Sequence, residues 1–134
     1  MKDKPEEKKS QIKGFKKLGY IRFWRGSRDD PIWKEKRKFS QFEARFDLYL
    51  EASGIDRDFI FRKRVIKLKR GQLVVSQREL ARRWNWTRGS VENYLRKLES
   101  IKTIYVEARK GPPCSIITFL NYNENNPRKQ ENEK

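Results

Sequence analysis

The sequence contains no histidine and a single cysteine, Cys114, among its 134 residues. One cysteine cannot form an internal disulfide, and without histidine it cannot complete the ligand set of a structural zinc site. We therefore expect no bound metal and no other cofactor, and a reducing, cytoplasmic environment. The chain also has no hydrophobic run long enough to span a membrane, and its first residues lack the apolar stretch of a secretory signal.

The motifs of common enzymes are absent as well. The sequence has neither a GxxxxGK[ST] phosphate-binding loop nor a GxGxxG dinucleotide fingerprint. Its acidic residues are scattered among basic ones, whereas a metal-dependent nuclease needs clustered carboxylates. The pair Asp29–Asp30 precedes Pro31, and a helix start explains this pair better than a metal site does. We expect that the protein is not an enzyme.

Acidic residues are few: 18 stand against 34 basic residues, which gives a formal net charge of +16 at pH 7. Residues 1–13 contribute +2 and residues 124–134 contribute 0, so residues 14–123 carry +14. A basic folded domain of this kind predicts a nucleic-acid partner. The alternatives are a surface that only keeps the protein soluble, or one that meets acidic protein or lipid.

The length suits one domain with polar tails. We expect a disordered charged tail at residues 1–13, a folded domain at residues 14–123 and a disordered polar tail at residues 124–134. Alternating side chains predict a strand at residues 19–27, and Asp30–Pro31 predicts a short helix after it.

The next segment predicts an amphipathic helix. Ser40 and Glu43 form a capping-box pattern, so the helix should span residues 41–53 and end at Gly54. Its buried stripe is expected at Phe42, Phe46, Tyr49, Leu50 and Ser53.

Residues 55–75 are less regular. Residues 55–64 fit either a strand or a loop. The segment at residues 65–75 indicates a strand or a hairpin with a turn near Arg70–Gly71.

Two helix starts then follow within eleven residues. Ser76 and Glu79 form a second capping-box pattern, which predicts a helix at residues 77–84. Asn85 tolerates the left-handed conformation in which helices often end, and Trp86 is expected to fill the elbow. Thr87 is the predicted cap of a third helix. Its buried stripe is expected at Val91, Leu95, Leu98 and Ile101, with Tyr94 at the border.

A β-hairpin is predicted after the third helix. Apolar and mostly polar side chains alternate at residues 103–109, and Ile117 and Phe119 alternate with their neighbours at residues 114–120, on either side of a turn at residues 110–113. Two short helices with a tight turn and a following hairpin predict an α+β fold, a winged helix-turn-helix with an additional N-terminal strand and short helix. In such folds the second helix of the pair lies in the DNA major groove.

The candidate DNA-binding residues lie at the start of the second helix, along the exposed face of the third, and on the wing. They are Ser76, Gln77, Arg78, Thr87, Arg88, Gly89, Ser90, Glu92, Asn93, Arg96, Lys97, Arg109 and Lys110.

Each of the central residues has a chemical reason to contact DNA. Asn93 can make a bidentate contact with adenine, Arg88 or Lys97 can reach guanine, and Glu92 can accept from the cytosine amino group. Gly89 has no side chain, so the backbone there can approach DNA closely. A solvated helix face is the alternative, in particular from Arg96 onwards, where an i,i+3 pair with Glu99 is expected to add only a few tenths of a kcal/mol.

Basic residues elsewhere have open roles. Arg109 and Lys110, at the wing tip, can reach phosphate or the minor groove. A second basic stretch is either another electrostatic patch or a solvated strand face. It comprises Arg62, Lys63, Arg64, Lys67, Lys69 and Arg70.

Several segments together resemble the N-terminal winged-helix domain of phage and mobile-element replication proteins, the replisome organisers related to bacterial DnaD. They are GYIRFWR at 19–25, PIW at 31–33, FSQFEARFDL at 39–48, KRGQLVVSQRELARRWNWTRGSVENYLRKLES at 69–100 and IITFLNY at 116–122.

The resemblance implies an initiator that binds double-stranded origin DNA, reads it with residues 76–97, and helps to recruit the replicative helicase or its loader. Asn85 stands where these proteins usually have glycine. The sequence does not include the helical C-terminal region by which those proteins engage the helicase and single-stranded DNA. This difference weakens the expectation of helicase recruitment. A transcriptional regulator with the same DNA-binding mode and a protein-docking module are the alternatives.

Overall fold

The computed structural model describes residue 18, residues 21–110 and residues 113–126. Within these ranges the chain is a mixed α+β fold with four α-helices and two small antiparallel sheets, preceded by a 3₁₀ helix. The 3₁₀ helix is Arg25–Asp29, and the other elements are α1 (Gln41–Glu51), β1 (Arg57–Phe61), β2 (Arg64–Leu68), β3 (Gln72–Val75), α2 (Gln77–Trp84), α3 (Arg88–Ser100), β4 (Ile104–Arg109), β5 (Cys114–Phe119) and α4 (Tyr122–Asn125). No helix in the described ranges combines the length and the apolar character needed to cross a membrane.

The predicted N-terminal strand at residues 19–27 is wrong. Residues 19 and 20 lie outside the described ranges, residues 21–24 have no regular structure, and the 3₁₀ helix follows them. Arg25 explains the difference. Its guanidinium donates to the carbonyl of Ala52, at 2.7 and 3.2 Å, and to the hydroxyl of Tyr122 at 2.9 Å. This segment is therefore held by side-chain contacts with the end of α1 and with α4. The tail predicted at residues 1–13 lies outside the described residues.

The short helix predicted at Asp30–Pro31 is also wrong, since the chain makes only one turn there. Asp30 does accept the N–H of Ile32 at 2.8 Å, as a helix cap would. The turn does not continue, because the Arg37 side chain donates to the carbonyls of Trp33 and Glu35. In a continuing helix, the carbonyl of Trp33 would instead accept the backbone N–H of Arg37.

Helix α1 begins as predicted. The Ser40 hydroxyl accepts the N–H of Glu43 at 3.1 Å, and the Glu43 carboxylate accepts the N–H of Ser40 at 2.9 Å. The Ser40 N–H and the Arg37 guanidinium lower the pKa of Glu43, because both stabilise its charged form. The helix ends at Glu51, two residues before the predicted end.

The buried face of α1 agrees only in part with the predicted one: Leu50 and Ser53 are buried, and Phe46 and Tyr49 are half-buried. Phe42 is 68% exposed, whereas the helix buries Ala44, Leu48 and a carboxylate, Asp47. Asp47 is 1% exposed because it accepts the indole N–H of Trp84 at 2.9 Å. Asp47 is not among the residues predicted to be buried, and its partner lies 37 residues along the chain.

Residues 57–75 form three strands in two separate sheets. β1 and β2 pair as a hairpin with Phe61 opposite Arg64. β3 instead joins the second sheet, whose order is β3–β5–β4. The turn predicted near Arg70–Gly71 therefore connects the two sheets. Gly71 has φ +88°, and a Cβ there would lie 2.8 Å from Tyr122, so this turn requires glycine.

The predicted hairpin after α3 is confirmed as β4 and β5, which pair from Ile104–Phe119 to Arg109–Cys114. The main core lies between the three helices α1 to α3 and the inner face of the β3–β5–β4 sheet. Its fully buried members include Leu48, Leu73, Leu80, Trp84, Val91, Ile104 and Ile117. A second cluster joins the β1–β2 hairpin to the outer face of that sheet and contains Ile66, Leu68, Val74, Cys114 and Ile116, with Phe59 and Phe61 packed against it.

The polar tail predicted from residue 124 begins too early. Residues 122–125 form α4, and Arg70 donates to the side chain of Asn123 and to the carbonyl of Asn126. These contacts attach residues 123–126 to the folded domain. Residues 127–134 lie outside the described residues.

Candidate nucleic-acid interface

The turn between α2 and α3 has the predicted geometry. Asn85 adopts the left-handed conformation, with φ 58° and ψ 45°. The N–H of Trp86 donates to the carbonyl of Ala81 at 2.9 Å, and the N–H of Asn85 to that of Arg82 at 3.4 Å. This pair of bonds is the Schellman ending of a helix, and only three residues separate the end of α2 from the start of α3.

The elbow between α2 and α3 is filled by aromatic rings. The Trp86 indole N–H donates to the carbonyl of Phe39 at 2.8 Å, and its ring meets Trp84 and Tyr94 edge to face at 5.0 and 5.2 Å. Trp86 is half-buried, while Trp84 is 0% exposed. The elbow is packed as predicted, with Trp84 as its fully buried ring.

The start of α2 is capped more weakly than its sequence predicts. The Ser76 hydroxyl accepts the N–H of Glu79 at 3.4 Å. The Glu79 carboxylate pairs with Arg82 rather than returning to Ser76, so only half of the capping box forms. Ser76 and Gln77 are half-buried, and Arg78 is exposed with no side-chain partner among the described residues.

Helix α3 is capped by Thr87, whose hydroxyl accepts the N–H of Ser90 at 3.1 Å. Its buried side chains are Val91, Tyr94, Leu95 and Leu98. The fourth member of the predicted stripe, Ile101, is 44% exposed because the helix ends at Ser100 and the left-handed Lys102 (φ 63°) turns the chain.

Tyr94 is more buried than a border residue. Its hydroxyl donates to the carbonyl of Gln41, which joins α3 to the start of α1. Burial is the main reason why the pKa of Tyr94 lies above its usual value. The hydroxyl therefore keeps the proton that this contact needs.

The opposite face of α3 is exposed along its whole length. It carries every residue that the sequence analysis assigned to it: Arg88, Gly89, Ser90, Glu92, Asn93, Arg96 and Lys97. In its second half, these side chains have partners within the protein. Arg96 pairs with Glu92 at 2.6 Å, and the Lys97 ammonium donates to the Gln41 side chain at 2.9 Å.

The pairing predicted between Arg96 and Glu99 is wrong. Glu99 is half-buried and accepts the backbone N–H of Val106 at 2.9 Å, which links α3 to β4. Arg96 turns to Glu92 instead, one helical turn towards the N-terminus. A cytosine amino group would therefore share the Glu92 carboxylate with Arg96.

Two side chains in the first half of α3 have no such partner. Among the described residues, the side chains of Arg88 and Asn93 make neither a hydrogen bond nor an ion pair. At Gly89, an added Cβ would meet only the Thr87 hydroxyl, at 4.0 Å. A guanidinium, an amide and a side-chain-free stretch of backbone thus face solvent together at the N-terminal end of α3. Free backbone N–H groups at a helix N-terminus also favour an anion.

The two wing candidates lie at the end of β4. Arg109 pairs with Glu107 at 2.9 Å, while the Lys110 side chain is exposed. The carbonyl of Lys110 accepts the Arg64 guanidinium at 2.7 Å, so the β1–β2 hairpin reaches the end of β4. Local sequence patterns do not indicate this contact of Arg64, because its partner lies 46 residues along the chain.

Elsewhere on the surface, a cleft is lined in part by cations that are paired within the protein. In the part of the chain that the structure describes, no three histidine, cysteine, aspartate or glutamate side chains group as metal ligands. A cleft of about 440 Å³ lies between α2 and residues 33–37. Three of its cations, Arg28, Arg37 and Arg83, are ion-paired with acidic residues of the protein.

Exposed hydrogen-bond donors and cations are present at the N-terminal half of α3 and at the ends of two hairpins. Such groups suit phosphate and base edges. Comparison of the chain with protein-family models, with curated proteins and with solved structures gave no match.

Proposed function

We propose that this protein binds double-stranded DNA through a winged helix-turn-helix, with α3 in the major groove and the β4–β5 hairpin as the wing. The observation that carries this proposal is the N-terminal half of α3. There Arg88, Gly89 and Asn93 face solvent without partners among the described residues, while the other side of the helix is buried. The order α2, tight turn, α3 and hairpin supports the same proposal.

Charge supports DNA as the ligand. Residues 14–123 carry +14, and the exposed cations include Arg78, Arg88 and Lys110. A duplex presents one negative charge for about every 1.7 Å of its axis. A cationic domain therefore gains affinity by releasing the counterions of the phosphates that it neutralises.

Gly89 supports close contact between α3 and DNA. Glycine within a helix is about 0.5–1 kcal/mol less favourable than alanine. A helical glycine that the fold itself does not require therefore indicates another constraint. Neither a positive φ nor a neighbouring atom requires glycine at this position. A ligand that lies against the backbone of the first turn supplies the missing reason.

We therefore expect Gly89→Ala to change folding and binding in opposite directions. The free energy of unfolding should rise by up to about 1 kcal/mol. Duplex DNA binding should weaken by about 1–3 kcal/mol, the usual cost of forcing a methyl group into a close-packed contact. Urea denaturation and fluorescence anisotropy with a labelled duplex measure the two quantities.

The matched control is Gly26→Ala, because a Cβ at Gly26 meets nothing within 4 Å and the residue lies in the 3₁₀ helix, outside the proposed interface. This control should bind duplex DNA like the unchanged protein. If Gly89→Ala and Gly26→Ala bind duplex DNA equally well, the result would contradict close contact between DNA and the first turn of α3. A failure of the unchanged protein to bind any duplex would contradict the proposed function as a whole.

We further propose a role in the initiation of phage, plasmid or mobile-element replication, and this proposal rests on the resemblance of the segments quoted above to replisome organisers. The replicative helicase or its loader is then a partner. Immunoprecipitation of the DNA bound in the cell tests the role: recovery of a replication origin is the expected result. Recovery of promoters instead would identify a transcriptional regulator.

A further inference from the structure

We propose that the β1–β2 hairpin is a second DNA-contacting arm, which holds the phosphate backbone of the duplex beside the β4–β5 hairpin. This inference rests on the proposed function, because it extends the same interface to elements outside the helix-turn-helix. Residues 57–69 carry six basic residues and one acidic residue. This is a net charge of +5 on a two-stranded ribbon and its flank.

The turn of this hairpin places two cations where the backbone disfavours them. Arg62 and Lys63 form a two-residue loop between Phe61 and Arg64, and both have positive φ, 47° and 68°. Two-residue loops with positive φ at both positions prefer Asn-Gly, because longer side chains are strained there. Both cations are exposed. The chain thus keeps two charges at the tip against its local conformational preference, which is typical of functional positions.

The hairpin is held in place by packing on its inner side. Ile66 and Leu68 are buried against Val74 and Ile116 of the three-stranded sheet. At the tip, the Arg64 guanidinium donates to the carbonyl of Lys110 at 2.7 Å. Lys110 therefore lies beside the tip of the β1–β2 hairpin, and the two hairpins form one cationic edge.

The outer face of the hairpin favours duplex over single-stranded DNA. Ile60 and Val65 are cross-strand partners directly behind the tip, 72% and 63% exposed. The two phenylalanines of β1, Phe59 and Phe61, instead belong to the half-buried inner face, and the guanidinium groups of Arg57 and Arg62 lie over their rings.

Single-stranded DNA is usually bound by exposed aromatic rings on which bases stack, and the outer face presents none. Aliphatic side chains next to cations instead suit the edge of a duplex minor groove, where apolar residues contact sugars or enter a base step. The occupant that fits this face is therefore double-stranded DNA.

The double substitution Arg62→Asn with Lys63→Gly tests the arm. It removes both charges and installs the residue pair that this turn prefers, so the melting temperature should stay the same or rise. Duplex affinity at about 150 mM salt should fall roughly 10- to 30-fold, and the salt slope should fall by about 2, as expected for two lost phosphate contacts. The loss should be the same for every duplex sequence.

Two further variants complete the design. Lys102→Asn is the control, because it also removes an exposed cation at a left-handed position (φ 63°). Lys102 follows the C-terminal end of α3 and lies about 20 Å from the start of that helix. This variant should bind like the unchanged protein. Arg88→Ala, measured in the same titrations, tests whether α3 contributes to duplex binding.

The outcomes separate the two proposals. If Arg88→Ala weakens duplex binding and the hairpin variant matches Lys102→Asn, the arm is refuted while the proposed function stands. If the hairpin variant weakens binding and Arg88→Ala does not, the arm stands and α3 is not the binding helix. If the hairpin variant weakens only single-stranded binding, or if the unchanged protein binds no duplex, the arm is refuted.

Discussion

Duplex DNA binding should weaken by roughly 10³- to 10⁵-fold when the salt concentration rises from about 50 to about 200 mM. This range corresponds to about 6–10 neutralised phosphates. Residues 14–123 supply enough charge, with a net +14, and the helix α3, the wing and the β1–β2 hairpin all present exposed cations. Anisotropy titrations at a series of salt concentrations give the slope directly.

Part of the positive charge is already neutralised within the protein, which limits the slope. Arg96 is paired with Glu92 and Arg109 with Glu107. Arg88 has no such partner among the described residues, so Arg88→Ala should lower the slope by about one. Titrations with salts of different anions provide a control. The release of counterions from DNA depends on the salt concentration, so the slope should be similar for each salt. A flat response would contradict the nucleic-acid interpretation of the charge.

Trp84→Ala should destabilise the fold by about 3–5 kcal/mol. Trp84 is 0% exposed, and it packs between α1 and the elbow, where its ring meets Trp86 at 5.0 Å. Domains of this size are usually stable by about 5–15 kcal/mol, so the variant loses a large share of its stability. Because this ring of α2 meets Tyr94 of α3 edge to face at 6.1 Å, its loss should also disorder the proposed recognition helix.

Trp24→Ala is the matched control, because the same substitution is made at a ring that is 87% exposed. It should change the free energy of unfolding by no more than about 0.5 kcal/mol. Trp84→Phe tests the polar contact separately: it keeps most of the volume but removes the indole N–H that Asp47 accepts at 2.9 Å. That loss should cost about 1–3 kcal/mol. Equal urea midpoints for Trp84→Ala and Trp24→Ala would contradict the packing described above.

The helix pair could be predicted because its signals are local. Thr87 caps a residue three positions away, and Asn85 ends α2 through its own backbone conformation. The apolar spacing in α3 correctly predicted that Val91, Leu95 and Leu98 are buried. Within these segments each residue meets neighbours a few positions away, so the sequence contains the information in one place.

Several of the differences from the predictions share a cause, which is a partner far along the chain. Arg25 binds the carbonyl of Ala52, so the segment before it is held without a sheet. Asp47 is buried because Trp84, 37 residues later, donates to it. The edge formed by the two hairpins depends on a contact between residues 64 and 110. Local patterns carry no signal for such pairs, and a polar residue at a buried position is then assigned to the surface.

The most direct test of the central claim, that α3 reads DNA sequence, compares two substitutions on two duplexes. A preferred site is first enriched from random duplexes, and a scrambled version of it serves as the second ligand. Asn93→Ala should cost roughly 1–3 kcal/mol on the preferred site and much less on the scrambled one, because a base contact is lost. Lys110→Ala should weaken binding to both duplexes equally and lower the salt slope by about one, because a phosphate contact is lost. Equal losses on both duplexes for Asn93→Ala, or the failure of any sequence to be enriched, would contradict base reading by α3.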